Sequence, residues 1–488
     1  MPYKHGVYAE IGAAQATSPA SAGTVAVYVG TAPVHLLADF AGSVNKPVRI
    51  RNLADAKALL GYDASLIGSY SLCEAVAAHF ENAVGNAGPI YCINVLDPAT
   101  AKGTQVTKSN CDLSGGSYMF AATDAIVSTV RVTGKVLGTD YTVAYVGGKV
   151  VITALTAMTA TETVTYYPVD MTDVTKTEII GAKSATGNTG LYAIADVYAI
   201  ANEVPSLLAA PAWSEVPDVY TAMLDAASDI NGHWQAFVVA DIPVDDDGTA
   251  VDTIAKAIAW KATNGYTDKR SKVCWPQVQT AKGVMHSSTV ITAAMVRTDA
   301  ENAGIPMESA SNKACEAIGQ YFGAGSATVG YEQTACNELN ADGITTVCFW
   351  GGVWLVWGDH TAAYKYGASV DEDAIFDVSM RMLFYIANGF QARHGIEIDR
   401  PMTVSLKDSI INAEQAELDR LVGAGAIIGT PYIVFEQSNN PMETLVQGDF
   451  VFDLAFTATP PLKSATLRVS YNTDGFAAYF EQIGGAAE

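Results

Sequence analysis

The feature that most constrains this chain is an alternation. Short apolar runs at Thr24 to Gly30 (TVAVYVG), Pro89 to Leu96 (PIYCINVL), Ser206 to Ala210, Gln235 to Ala240 and Ser271 to Trp275 alternate with segments of helical character at Ser69 to Asn82, Pro217 to Ile230, Thr249 to Thr263 and Ser287 to Asn302. A continuous apolar strand must be covered on both faces, so this rhythm predicts a mostly parallel sheet with helices packed over it. One block breaks the rhythm. Between Ala101 and Lys183 about one residue in five is Thr, and Gly115-Gly116 and Gly147-Gly148 separate short runs at Ile126 to Val132, Tyr141 to Val146 and Val150 to Leu155, the pattern of an inserted small β domain.

Beyond the α/β stretch, Ile344 to Trp350 and Val353 to Trp357 flank Gly351-Gly352 and read as an apolar hairpin, although Trp350, Trp354 and Trp357 also fit helical spacing. A long helix is expected from Asp371 to Gln391, closed by Arg393, His394 and Gly395, whose charges suit a helix C-terminus. A second covers Thr403 to Val422, with an apolar stripe of Val404, Ile411, Leu418 and Val422 beside a polar stripe of Ser405, Asp408, Asn412 and Asp419. Phe450, Phe452, Leu454 and Phe456 then alternate with Val451, Asp453 and Ala455, a half-buried antiparallel strand that Pro460-Pro461 terminates.

Each end carries a further alternating run. Tyr3, His5, Val7, Ala9 and Ile11 share one face of an arm that a small, polar linker (Ala13 to Gly23) ties to the body, and Ala465, Leu467, Val469 and Tyr471 share one face beyond the double proline. The expected fold class is therefore α/β: a helix-covered mixed sheet body with an inserted small β domain, an α+β C-terminal domain and extended terminal strands. Residues 1–22 form the N-terminal arm and linker, 23–100 with 184–365 the body, 101–183 the insert, 366–463 the C-terminal domain and 464–488 the C-terminal arm.

Charge narrows the function. With 28 Lys and Arg against 51 Asp and Glu the formal net charge is −23, and there is no basic cluster to displace counterions from nucleic acid. Only 16% of residues are charged while 49% are hydrophobic, which excludes a disordered chain and implies that much of the surface is built to meet protein. The longest apolar run, Val347 to Trp357, is about half of the ~20 residues a membrane-spanning helix needs, and the N-terminus has no apolar signal core. Seven cysteines without a C-x-x-C pair read as buried free thiols in a reducing compartment, hence synthesis in a cytoplasm.

A search for enzyme chemistry finds little. Gly423-Ala424-Gly425 misses the dinucleotide fingerprint by one residue and follows a helix; Gly134-Lys135 and Gly148-Lys149 lack the rest of a phosphate loop and read as hairpin turns. Asp245, Asp246, Asp247 and Gly248 lack the register of a calcium loop and read as the N-cap of a helix starting at Thr249. The seven histidines show no metal-ligand spacing, and no serine-hydrolase elbow is present. The tryptophan cluster reads as core or interface anchors rather than a ligand stack. The expectation is no catalytic residue, no cofactor and no metal.

Free strand edges are normally avoided, so a chain with an extended strand at each end is built to donate them to neighbouring subunits by β-augmentation. Here the residues resemble a known family. His5-Gly6-Val7 before the linker and first strand, Asn45-Lys46-Pro47-Val48, the Val204-Pro205-Ser206-Leu207-Leu208-Ala209-Ala210-Pro211 strand, Trp357-Gly358-Asp359-His360-Thr361 and the Phe450 to Pro461 strand follow, in order, the pattern of the contractile tail sheath proteins of bacteriophages, R-type bacteriocins and related contractile injection particles. One departure stands out: Asp359-His360 replaces the family's Asn-Arg, so that arginine's charge contact is absent, rewired or carried by a protonated His360.

The resemblance implies a structural subunit, not an enzyme, that polymerises as stacked homo-oligomeric rings around a tail tube in a metastable extended state. It would contract to drive the tube through the host envelope. The implied partners are the tube protein and the baseplate and terminator proteins, with no nucleic acid and no membrane insertion. The subunit would be made in the bacterial host cytoplasm and end in the virion tail sheath. The arm strands would link adjacent subunits, the insert would lie outermost and the C-terminal domain innermost, and Ser405, Asp408, Asn412 and Asp419 would face the tube. A static tube or capsid component, or an α/β enzyme with a convergent pocket, are the competing expectations.

Overall fold

The computed structural model describes residues 24–323 and 331–484. Its centre is an eight-stranded sheet. In chain order the strands are β1 (Ala26–Gly30), β2 (Pro47–Ile50), β3 (Ile90–Asn94), β4 (Leu207–Ala209), β5 (Phe237–Asp241), β6 (Ser271–Cys274), β7 (Ile344–Trp350) and β8 (Val353–Trp357). Their spatial order is β8-β7-β6-β5-β4-β1-β3-β2. The six inner strands are parallel, and one antiparallel strand closes each edge: β2 against β3, and β8 against β7. Every residue of β1, β3, β4, β5 and β6 is buried, as mostly apolar runs require when helices cover both faces, and the few polar residues among them, such as Lys272, are buried with the rest.

The helices that cover it include α1 (Leu53–Leu60), α2 (Ser71–Phe80), α3 (Pro217–Ser228), α4 (Ile254–Thr263), α5 (Ser287–Glu301) and α6 (Gln333–Ala341). α2 and α5 are buried almost throughout, so they lie inside the body rather than on its surface. Among the described residues no helix is long and apolar enough to cross a membrane.

Residues 106–166 build two three-stranded sheets. Val106–Cys111, Arg131–Val132 and Glu162–Tyr166 form one, and Ser117–Ala121, Tyr141–Val146 and Lys149–Ala154 the other. Between them lies a separate core that includes Cys111, Phe120, Tyr141, Ile152 and Val164. The chain rejoins the main core at Val174 and Ile179, short of Lys183. The run Ile126 to Val132, expected to be a strand, is instead a 3-10 turn at Val127–Thr129 followed by a two-residue strand. Thr129 explains the turn, since its hydroxyl donates back to Ile126 O at 2.7 Å and competes with an extended backbone.

Two more expectations shift. The acidic run does not cap a helix: Asp245–Asp246 pairs with Thr249–Ala250, and Asp247 and Gly248 turn between them at φ 52° and 85°, the positive angles of an Asp-Gly hairpin. Thr253 caps α4 instead, its hydroxyl accepting from Lys256 N at 3.3 Å. The long helix begins not at Asp371 but after a 3-10 turn at Glu372–Ala374, because Phe376 is extended.

That helix, α7 (Asp377–His394), leads to α8 (Val404–Gly423) and then to the antiparallel pair β9 (Ile427–Val434) and β10 (Asp453–Ala458). Met382, Ile386, Leu418, Leu421 and Ile427 make a small core of their own there. α8 buries Ile410, Glu414, Leu418 and Leu421, so the expected apolar stripe was rotated. Of its members only Leu418 is buried; Ile411 is half-buried, and Val404 and Val422 are exposed. Glu414 displaces it by drawing two cationic side chains from α7 onto the inward face.

Candidate functional site

Two features could join the chain to partners: the segment beyond β10, toward other copies, and the outer face of α8, toward a different protein. The first is pinned at its root. Thr459 donates from its amide to Ala426 O at 3.0 Å and from its hydroxyl to Gly425 O at 2.7 Å, and Lys463 Nζ lies 5.5 Å from the centre of the Tyr364 ring. Pro460 and Pro461 between them present no backbone N–H and cannot extend a sheet. From Ser464 to Tyr471 the chain has no regular structure and makes no hydrogen bond among the described residues. Ala465 is exposed and Leu467, Val469 and Tyr471 are 85%, 83% and 80% exposed, so these residues stand in solvent without a strand partner among the described residues. Tyr3, His5, Val7, Ala9 and Ile11 lie outside the described residues.

On α8, Ser405, Asp408, Asn412 and Asp419 are all exposed and lie on one face, opposite the buried stripe rather than beside it. Asp408 pairs with Lys407 at 2.7 Å, and Asp419 accepts from Gln415 at 3.0 Å.

What holds α8 is a buried carboxylate the sequence reading missed. Glu414 takes a two-pronged contact from Arg393, at 2.8 and 2.6 Å, and a third from His394 Nε2 at 2.7 Å; His394 Nδ1 meets Glu397 at 2.9 Å. Burial opposes the Glu414 charge, but these partners outweigh it and hold the carboxyl at about 2. Burial likewise opposes a charge on His394, and Glu414 and Glu397 overcome it and raise its pKa. The two residues expected to complement a helix dipole are therefore a clasp between helices.

α7 is joined to the body by a polar stripe at i, i+4 and i+11. Asp377 forms an ion pair with Lys272 of β6 at 2.8 Å, both side chains 1% exposed. Arg381 pairs with the fully buried Asp299 of α5, which also accepts from the Thr24 hydroxyl at 2.6 Å. Asn388 bonds the backbone of Gln235 in both directions, at 3.0 and 2.8 Å. The N-terminal end of the described chain is thus fixed to the seam between body and C-terminal helices. Asp377, Arg381 and Asn388 could have been read as a polar face, but their partners lie far away in sequence.

The Trp357 to Thr361 motif sits on that seam. Gly358 has φ +135°, and a Cβ there would lie 2.9 Å from both Asn340 Nδ2 and Thr345 Oγ1, so only glycine fits without a shift. Its carbonyl accepts from Lys272 Nζ at 2.9 Å. Burial pushes the His360 imidazole down to about 4, so it is neutral at pH 7 and does not carry the missing arginine's charge. It stacks between Tyr364 and Phe376, with ring centres 3.5 and 5.3 Å away. The cations near it are Lys463, set against the Tyr364 ring, and Lys272, supplied by a different strand.

α/β folds bind ligands beyond the carboxyl ends of strands where the order reverses, here between β1 and β4. At β1 that space is filled: a Cβ on Gly30 would lie 2.2 Å from Ser71 Oγ, and the amide of Leu72 bonds Thr31 O at 2.9 Å. A cleft of about 600 Å³ lies instead beside the arm root, with Trp350, Trp357, Tyr364, Tyr366, Pro460 and Pro461 among its walls.

No protein-family model matches the chain. It is 27% identical over 484 residues to the tail sheath protein of Burkholderia phage BcepMu, a match covering 94% of this chain and 93% of that one. It is 25% identical over 302 residues to the tail sheath protein of Escherichia phage P2, covering 60% of this chain and 70% of that one. Among solved structures, a chain of the anti-feeding prophage baseplate superposes with a TM-score of 0.55 at 17% identity, covering 97% of this chain and all of that one. A chain of an extracellular contractile injection system, the PVC sheath complex in its contracted state, gives the same TM-score at 14% identity, covering 97% and 99%. These structural likenesses establish a shared fold across nearly the whole chain.

Proposed function

We propose that this chain, similar in sequence and in fold to contractile tail sheath proteins, is a structural subunit of a contractile sheath whose parts serve assembly and contraction as follows. Subunits polymerise around a tail tube as stacked rings in a metastable extended lattice. A baseplate signal then lets them slide into a wider one that buries more surface, so the stroke draws on free energy stored at assembly.

The observation that carries this reading is the pinned root followed by an exposed apolar arm. A root fixed by Thr459 and Lys463 transmits force, while an unpaired segment such as 464–471 can add to a neighbour's sheet through backbone hydrogen bonds. The pair β9–β10 is the acceptor that fits, because neither of its outer edges has a partner strand among the described residues. Residues 3–11, tethered next to Thr24, would make the second link. The insert, with its own core, would project from the outside of the particle, and the exposed face of α8 would meet the tube through Ser405, Asp408, Asn412 and Asp419. A polar contact of that kind releases on contraction where an apolar one would hold.

The test is electron microscopy of the purified chain, alone and with tube protein. Long hollow tubes of one wide diameter from the chain alone, and a second, narrower lattice around the tube, are expected. A single lattice with one helical pitch under every condition would favour a static tube, and a monomer at all concentrations would end the sheath reading.

A further inference from the structure

The last described helix, α9 (Gly475–Gln482), carries an apolar face that is left uncovered among the described residues. Phe476, Tyr479 and Ile483 fall at i, i+3 and i+7 and are 54%, 55% and 58% exposed. Its eight residues fall well short of the ~12–15 an isolated helix needs to persist in water, so the face must be covered when the protein works. We infer that α9 docks in a second copy of this chain, in the cleft beside the arm root, with Phe476 and Tyr479 set against Trp350, Trp357 and Tyr366. This rests on the sheath subunit reading and adds a side-chain latch to the backbone pairing of the arm.

Three observations select that occupant. The cleft has aromatic walls, and Trp350 and Tyr366 at its mouth are 52% and 76% exposed, so it offers flat apolar surface to aromatic anchors. The tether is long: Ser464 lines the cleft, and the segment from there to α9 spans roughly 33 Å when extended at ~3.3 Å per residue, which lets α9 reach away from its own body. The arm also leaves its own cleft rather than folding back into it, since Leu467, Val469 and Tyr471 remain at least 80% exposed. An incoming helix would lie along the host's own arm root, beside the exposed Leu462. Each copy would then receive a helix beside the root from which it sends one out.

The experiment uses the full chain in three forms: unchanged, Phe476→Asp with Tyr479→Asp, and Tyr366→Cys with Tyr479→Cys. The Asp variant is expected to raise the concentration needed for tube formation at least tenfold, followed by light scattering and microscopy. All seven native cysteines are buried, so mild oxidation of the Cys pair should give a ladder of linked copies in assembled material and none in dilute monomer. Tubes forming at an unchanged threshold, a cross-link closed within the monomer, or tubes that never cross-link would each overturn the docking. An unchanged chain that never forms tubes would overturn the sheath reading and the docking with it.

Discussion

Glu414 shows how much one residue can redirect a helix. Buried between Arg393 and His394, it fixes which face of α8 turns inward and so which face is left for a partner. Its pKa is lowered to about 2, so the stabilisation it gives is present above the ordinary carboxylate range and is lost as pH falls toward 2. His394 has the opposite sign: its pKa is raised, so its share is complete below the ordinary histidine range and fades as pH rises through the raised value. The clasp is therefore strongest in mildly acidic solution. Glu414→Gln should cost about 2 kcal/mol in denaturant unfolding, in the range for hydrogen bonds to charged groups. The excess stability of the unaltered chain over His394→Gln should shrink as pH rises above the ordinary histidine range; an excess that grew with pH there would show that His394 is not protonated in the fold. Arg381 gives a sharper case. Arg381→Met would leave Asp299 buried and uncompensated, at a cost of about 3–5 kcal/mol by chemical denaturation, and a loss under 1 kcal/mol would mean that Asp299 is neutral there.

At the scale of elements, α7 and α8 do different work. α7 spends its polar residues inward on Lys272, Asp299 and Gln235, which ties it to the body. α8 keeps Ser405, Asp408, Asn412 and Asp419 outside. Replacing those four by Ala should leave the unfolding midpoint almost unchanged but weaken co-sedimentation with tube protein, whereas Ala at exposed Lys282 and Glu301, outside α8, should not. Equal loss at both places would remove the tube assignment. The arm makes a parallel prediction: deleting residues 464–488 should leave a folded monomer, because the segment makes no hydrogen bond to the described body beyond Lys463, and should abolish polymer seen by light scattering.

The whole molecule carries a net charge of −23, which every copy brings to every interface. Like charge slows encounter and salt screens it, so added salt should speed polymerisation of the chain. A rate independent of ionic strength would show that the acidic surface lies away from the contacts.

The strand and helix rhythm was legible in the residues because periodicity is local: a run such as Ala26–Gly30 has to be buried whatever surrounds it, and Gly351-Gly352 has to turn. The order of motifs likewise pointed to the family, and the double proline marked the end of β10. Long-range partners were not legible. Nothing near Arg381 in sequence names Asp299, and nothing near Gly358 names Lys272, so the seam between body and C-terminal helices, the neutral His360 and the rotated face of α8 were decided only when the fold brought those side chains together. Local sequence sets the pattern of burial along each element, but a buried charge takes whichever counter-charge the packing delivers, and that choice fixes which faces remain open to other copies.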